Sequence, residues 1–171
     1  GRSLGIQKLH TDASPIVYKM PFEPGTLKAI ARTDGKVVAT DVLRTAGKPA
    51  RIEFTADSPQ QPLTPTWNDV RYITATLVDA SGTRIPDSTT LVRFSTTGPI
   101  SIVAVGNGNM ADHEPFQATQ RTLFDGNAVA IVRATAASGT VTVTATADGL
   151  PPATVTLATA PAKPPAVARS F

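Results

Sequence analysis

The sequence predicts an all-β chain folded as a sandwich of two sheets, and three observations predict it. Short runs alternate apolar and polar residues at a period of two, as in Ile73, Ala75 and Leu77 against Thr74 and Thr76. Turn-forming pairs punctuate those runs: Asp34-Gly35, Ser81-Gly82, Asp125-Gly126, Ser138-Gly139 and Asp148-Gly149. No stretch repeats apolar residues at the i, i+3, i+4 spacing of a helix that buries one face.

The first 48 residues read as four strands, at 3–9, 15–22, 26–32 and 36–45. Asp34-Gly35 lies between two alternating runs, Leu27, Ala29 and Ala31 before it and Val37 and Ala39 after it, which specifies a hairpin. Glu23-Pro24-Gly25 makes the preceding turn, proline fixing φ and glycine supplying the permissive position. Four strands fall short of a sandwich, which needs about seven strands in about 100 residues. Residues 1–48 are therefore expected to be an incomplete unit that begins inside a domain. Its missing strands would come from an earlier part of the gene product, a neighbouring molecule or the second domain.

Residues 49–160 read as a complete unit. Residues 50–55 set Ile52 and Phe54 on one face against Arg51 and Glu53 on the other. Residues 58–65 hold three prolines and two glutamines and form an extended loop. Strands follow at 70–78, at 91–95 with Val92 and Phe94 on one face, and at 100–105. Beyond a long connection come 128–135, then 140–146 with Val141, Val143 and Ala145 alternating with threonines, and last 153–159. Seven or so strands in about 110 residues predict an immunoglobulin-like β-sandwich, preceded by the incomplete unit of residues 1–48. The Pro/Ala-rich segment 161–171 has no pattern and is expected to be a flexible tail.

The long connection after 100–105 holds most of the unusual polar residues. Gly106, Asn107, Gly108 and Asn109 tolerate positive φ, so a β-branched residue at either glycine is expected to strain the turn. Asp112, His113, Glu114 and Pro115 follow without a clear period. Substitution of Asp112 or His113 is expected to be neutral, as at a surface. A functional loop and an irregular Greek-key crossover look alike here, and the sequence favours the crossover.

Composition excludes several functions. The 171 residues, 41% hydrophobic, suffice to bury a core. There is no cysteine, hence no disulfide framework and no thiolate metal site. No apolar run approaches the ~20 residues that cross a bilayer, and no signal-peptide pattern starts at Gly1, as would also hold for a mature secreted protein. Lys and Arg number 16 against 13 Asp and Glu, a formal charge of +3 spread singly from Arg2 to Arg169. With one Trp, two Tyr and six Phe, none spaced along a basic strand, neither a nucleic-acid patch nor a stacking platform for single strands is present.

The stretch Pro21-Phe22-Glu23-Pro24-Gly25-Thr26-Leu27-Lys28-Ala29, followed by Asp34-Gly35-Lys36 and Thr45-Ala46-Gly47-Lys48-Pro49, resembles the join between the two C-terminal immunoglobulin-like domains of glycoside hydrolase family 2 β-galactosidases. Val78-Asp79-Ala80-Ser81-Gly82, Val105-Gly106-Asn107-Gly108, Glu114-Pro115 and the run 124–133 continue the resemblance, which covers about 20–160. It implies that residues 1–48 are the C-terminal part of a truncated immunoglobulin-like domain, an incomplete second immunoglobulin-like unit before the sandwich. It also implies that the chain is a C-terminal portion of a longer hydrolase whose catalytic barrel, with both catalytic glutamates, lies outside it. The implied role is a non-catalytic accessory region supporting domain packing, orientation or oligomer contacts. Its implied partners are the catalytic and other domains of the same polypeptide, with homo-oligomer contacts open, and its implied setting is the bacterial periplasm or the extracellular space. Trp67 departs from the family pattern, where small turn residues are usual.

The residues themselves agree with a non-catalytic reading. A retaining glycosidase needs two carboxylates about 5–5.5 Å apart; the glutamates here, Glu23, Glu53 and Glu114, fall in a turn, on a strand and in the long loop. Asp112, His113 and Glu114 are consecutive, and side chains of an extended run diverge, so no metal is called for. Glu114 reads as fixing its loop, by a hydrogen bond or ion pair to Arg121 or Arg133. His10 has no visible partner and reads as a surface residue. There is no Gly-x-Ser-x-Gly elbow, and Gly106-Asn107-Gly108 leads into loop, not helix, so neither an acyl-transfer site nor a phosphate cradle is indicated. No cofactor follows from any motif. Trp67 is the best candidate for carbohydrate, with Asn68, Asp69 and Tyr72 as polar neighbours; the competing and favoured reading has its ring covering one end of the core. A carbohydrate-binding module using Trp67 and an adhesin-like structural stalk therefore stand beside the accessory reading.

Overall fold

The computed structural model describes residues 1–12, 14–137 and 139–162. Ser138 of the expected Ser138-Gly139 turn and residues 163–171 of the expected tail lie outside the described residues. The chain divides into two compact units, Gly1–Thr45 and Ala46–Phe171.

In the first unit, β1 (Thr26–Thr33) and β2 (Lys36–Arg44) form the predicted antiparallel hairpin, with Leu27 opposite Leu43 and a bulge between Ala31 and Arg32. Asp34 and Gly35 both take positive φ, 49° and 78°, the turn whose twist matches the flanking strands. The Thr45 N–H closes the open end on the Gly25 carbonyl at 2.8 Å. The expected strands at 3–9 and 15–22 do not form: both segments are irregular, and Ile6, Leu9 and Phe22 are 96%, 86% and 81% exposed. Alternation marks which side chains would face a core, but a strand also needs a neighbour to pair its N–H and C=O groups, and among the described residues these runs have none.

The second unit contains β3 (Pro49–Ala56), β4 (Arg71–Asp79), β5 (Leu91–Thr97), β6 (Ile100–Gly106), β7 (Gln120–Thr122), β8 (Asn127–Ala134), β9 (Thr140–Thr146) and β10 (Ala153–Ala158). They form two four-stranded sheets, β3-β4-β8-β6 and β10-β9-β5-β7, all pairings antiparallel. This is the ABED and GFC arrangement of an immunoglobulin sandwich, with β7 added beside β5. The three residues of β7 are too few to show a period, and sequence reading did not find it.

Alternation sorts the side chains as expected. In β8, Ala128, Ala130, Val132 and Ala134 are buried while Val129, Ile131 and Arg133 face outward. In β4, Ile73, Ala75 and Leu77 are fully buried. The core has two pools. One gathers Leu77, Val92, Phe94, Val105 and Leu123; the other gathers Leu63, Ile73, Val132, Val141 and Leu157; Phe54 and Ile102 pack against both. Leu63 comes from the proline-rich β3–β4 connection. Its N–H donates to the Ala158 carbonyl, and its carbonyl accepts from the Ala160 N–H, each at 2.9 Å.

Two further ties hold the sandwich. Asp79 Oδ2 accepts the Gly47 N–H at 2.7 Å, and its Oδ1 accepts the N–H groups of Ser81 and Thr83 at 2.8 and 2.9 Å. The two family-like stretches around Gly47 and Ser81 thus meet on one carboxylate. Gly126 has φ +72°, and a Cβ there would stand 2.5 Å from the Ile85 carbonyl oxygen, so only glycine fits this turn.

Candidate functional site

The β6–β7 loop is built around Arg121, which is 1% exposed. Its Nη1 donates to Asp112 Oδ2 and to the Glu114 carbonyl, each at 3.0 Å. Its Nη2 donates to the carbonyls of Val105 and Pro115, each at 2.9 Å, and the Phe116 ring centroid lies 5.2 Å from the guanidinium carbon. Asp112 is the second hub. Its Oδ2 also accepts Asn107 Nδ2 at 2.6 Å, and its Oδ1 accepts the Glu114 N–H at 2.8 Å. The Glu114 N–H first, then Arg121 and Asn107, hold the Asp112 carboxyl below the usual carboxylate range against the opposing effect of burial.

This geometry corrects three expectations. The carboxylate that pairs with Arg121 belongs to Asp112; Glu114 offers Arg121 its backbone carbonyl and uses Oε2 to accept the Thr122 N–H at 3.2 Å. Asp112 is therefore no neutral surface position. Among Gly106, Asn107 and Gly108, only Gly108 has positive φ, +79°. Gly106 is the last residue of β6, opposite Val129, and a Cβ there meets no atom within 4 Å. Asn107 acts through its side chain, donating to Asp112 and to the Thr122 carbonyl while accepting the Asn109 N–H. The Val105-Gly106-Asn107-Gly108 and Glu114-Pro115 stretches thus line one cage, whose hub at Arg121 could be suspected from the sequence only as a cation beside an irregular acidic loop.

The β3–β4 loop closes over a second buried arginine. Arg71, 5% exposed, donates to the Gln61 carbonyl at 3.0 Å and stands 3.9 Å from Asp69. Asp69 is engaged elsewhere: its Oδ2 accepts the Thr64 N–H and hydroxyl at 2.8 and 2.6 Å. Burial raises its pKa, but the two Thr64 bonds and the Arg71 charge outweigh that and leave it lowered. Between these ties Trp67 stands 85% exposed, with the guanidinium of Arg133 over its ring at 4.7 Å from the centroid. The expectation that Trp67 covers the core is corrected: the indole faces solvent, and the side chain this loop buries fully is Leu63. Asn68 is exposed and Tyr72 is 48% exposed on the outer face of β4.

The glutamates are engaged locally, Glu23 with Arg2 at 3.2 Å, Glu53 with Arg51, and Glu114 with Thr122. His10 and His113 are exposed. Among the described residues no group of three His, Asp or Glu converges as a metal ion would need.

Residues 52–156 match the family described as glycoside hydrolase family 2 C-terminal domain 5, and residues 1–39 match a domain of unknown function, DUF4982. The chain is 37% identical over 150 residues to β-galactosidase BoGH2A of Bacteroides ovatus, a span of 88% of this chain and 17% of that protein. A crystal structure of a glycosyl hydrolase family 2 member from Bacteroides cellulosilyticus is similar at TM-score 0.84 and 37% identity, over 92% of this chain and 22% of the other. A β-glucuronidase from glycoside hydrolase family 2 is similar at TM-score 0.72 and 28% identity, over 82% of this chain and 15% of the other. The chain thus spans about a fifth of the length of the relatives it matches. With its sandwich matched from β3 to β10 and the family-like stretches forming the Asp79 and Arg121 ties, the chain belongs to glycoside hydrolase family 2, of which it carries a C-terminal region.

Proposed function

We propose that this region is a non-catalytic accessory part of a β-galactosidase-like hydrolase, acting through packing against the catalytic and other domains of the same polypeptide, through their orientation, or through oligomer contacts. One observation carries the reading. The Gly1–Thr45 unit leaves its large apolar side chains exposed, among them Ile6, Leu9, Val38, Leu43 and Phe22, whereas the sandwich buries most of its own and exposes Trp67, Tyr72, Met110, Phe116 and Phe124. Exposed apolar side chains in that number suit a surface that packs against another domain, and most of the length of the relatives lies outside the matched part. The similar proteins include a β-galactosidase and a β-glucuronidase, so a shared C-terminal region accompanies different named activities, as suits a part that does not choose the substrate. The periplasmic or extracellular setting implied by the family resemblance is kept as part of this proposal.

The test has two arms. The purified chain is incubated with a chromogenic β-galactoside, and no turnover is expected; turnover that survives both the removal of contaminants and Glu114→Gln would overturn the non-catalytic reading. The intact mass of the natural gene product is expected to be several times that of this chain; a product of the same size would remove the packing partners.

A further inference from the structure

We infer that the outer face of β4 and β8 beside Trp67 is a binding platform for a pyranose chain, one sugar ring stacking on the open face of the indole while its hydroxyls meet Arg133, Tyr72 and Asn68. The site does not rest on the accessory role, since it needs only the folded sandwich.

Trp67 has no task in the core. The same loop sends Leu63 inward to full burial and leaves the indole 85% exposed, at the cost of keeping a large apolar ring in water. The ring is also held in place. Asp69 ties back the Thr64 N–H and hydroxyl, the Thr66 N–H donates to the Thr64 carbonyl at 2.8 Å, and Arg133 rests over one ring face. An exposed aromatic fixed before a ligand arrives loses less rotamer entropy on binding.

Register places the neighbours. Arg133 is on the outward row of β8, opposite Ser101 of β6; Tyr72 and Ile131 are paired one step along, with Ala104 beyond, and the next row is Thr74, Val129 and Gly106. Diagonal positions on one sheet face lie about 7–8 Å apart, so Trp67, Arg133 and Tyr72 form one continuous strip. Its apolar part is short and its borders, Ser101, Thr74 and Asn68, are polar.

That pattern selects the ligand. The Arg133 guanidinium makes no hydrogen bond or ion pair among the described residues, which leaves its N–H groups unclaimed beside the ring. Its charge on one face disfavours a second cation on the other, which argues against basic peptides and quaternary ammonium groups. A nucleic-acid strand would need further cations and rings in series. A pyranose offers what the strip lacks: a flat C–H face for the indole, and a rim of hydroxyls for the guanidinium, phenol and amide.

The chain has one tryptophan, so its fluorescence reports this site alone. Cellohexaose, β-1,4-galactohexaose and an oligogalacturonate of the same length are titrated separately, with calorimetry and saturation-transfer NMR for variants lacking the indole. At least one oligosaccharide is expected to give a saturable response, with the acidic one favoured if Arg133 prefers a carboxylate. Trp67→Ala is expected to abolish binding with circular dichroism and melting temperature unchanged, Arg133→Ala to weaken it about tenfold, and Asp148→Ala, on the opposite sheet, to leave it intact. Failure of all three oligosaccharides, or binding retained by Trp67→Ala, overturns the proposal. So does a spectral shift that grows with protein concentration in the absence of sugar, which would assign the strip to a second copy of the chain.

Discussion

The β6–β7 loop gives its buried Arg121 the Asp112 carboxylate and the carbonyls of Val105, Glu114 and Pro115, whereas the β3–β4 loop gives its buried Arg71 the Gln61 carbonyl and a carboxylate 3.9 Å away. A buried cation is tolerated in proportion to the acceptors that replace its water. The first loop meets that demand with its own backbone, so its irregular path is part of the fold. The second meets less of it and is anchored instead by the apolar Leu63. Its remaining side chains are then free to face solvent, and Trp67 does. The polar-looking loop, the first place to search for chemistry, is structural; the proline-rich loop carries the exposed surface.

The comparison is broken most directly at the arginines. Arg121→Ala is expected to cost ~3–5 kcal/mol, because Asp112 and three carbonyls lose their partner together, and Arg71→Ala is expected to cost less. Urea unfolding measures both, and equal losses would show that the number of acceptors does not distinguish the loops. Next comes the apolar anchor. Leu63→Ala opens a cavity in a fully buried site and is expected to cost ~2–5 kcal/mol. Hydrogen exchange should quicken across 57–70 and leave 107–119 protected.

A smaller effect separates the two glycines of the Arg121 loop. Gly108→Val places a β-branched residue at φ +79° and is expected to cost ~1–3 kcal/mol. Gly106→Val, in extended backbone with open space, is expected to stay within ~0.5 kcal/mol. If the two unfold alike, the turn is not where the loop is specified.

The least effect is in acid. Asp112, Asp69 and Asp79 all have lowered folded-state pKa values, so the unfolded chain binds protons first as pH falls. Stability from these groups is complete above about pH 4 and declines below it, as pH drops toward the folded-state values. Asp112→Asn should start less stable at neutral pH and lose less on acidification; a slope unchanged from the parent would place the acid sensitivity at the other two carboxylates.

Much of the sandwich was legible because a period of two assigns faces without knowledge of the partner strand. Ile73, Ala75 and Leu77, and Val141, Val143 and Ala145, were read correctly as inward. Asp34-Gly35 named its hairpin because a turn with two positive φ values accepts few other pairs. The same rule failed at 3–9 and 15–22, where alternation was present and pairing was not. β7 escaped because three residues carry no period, and its central residue, Arg121, is defined by acceptors that lie up to 16 positions away.

Local spacing and contiguous motifs carry the all-β class, the Asp34-Gly35 hairpin, the faces of the long strands and the family. Only the folded chain shows that Asp112 and not Glu114 gives Arg121 its carboxylate, that Asp79 joins Gly47 to Ser81, and that Leu63 and not Trp67 enters the core. These are choices among residues of similar chemistry a few positions apart. What separates them is a few ångströms of distance across the fold, which no period or composition encodes.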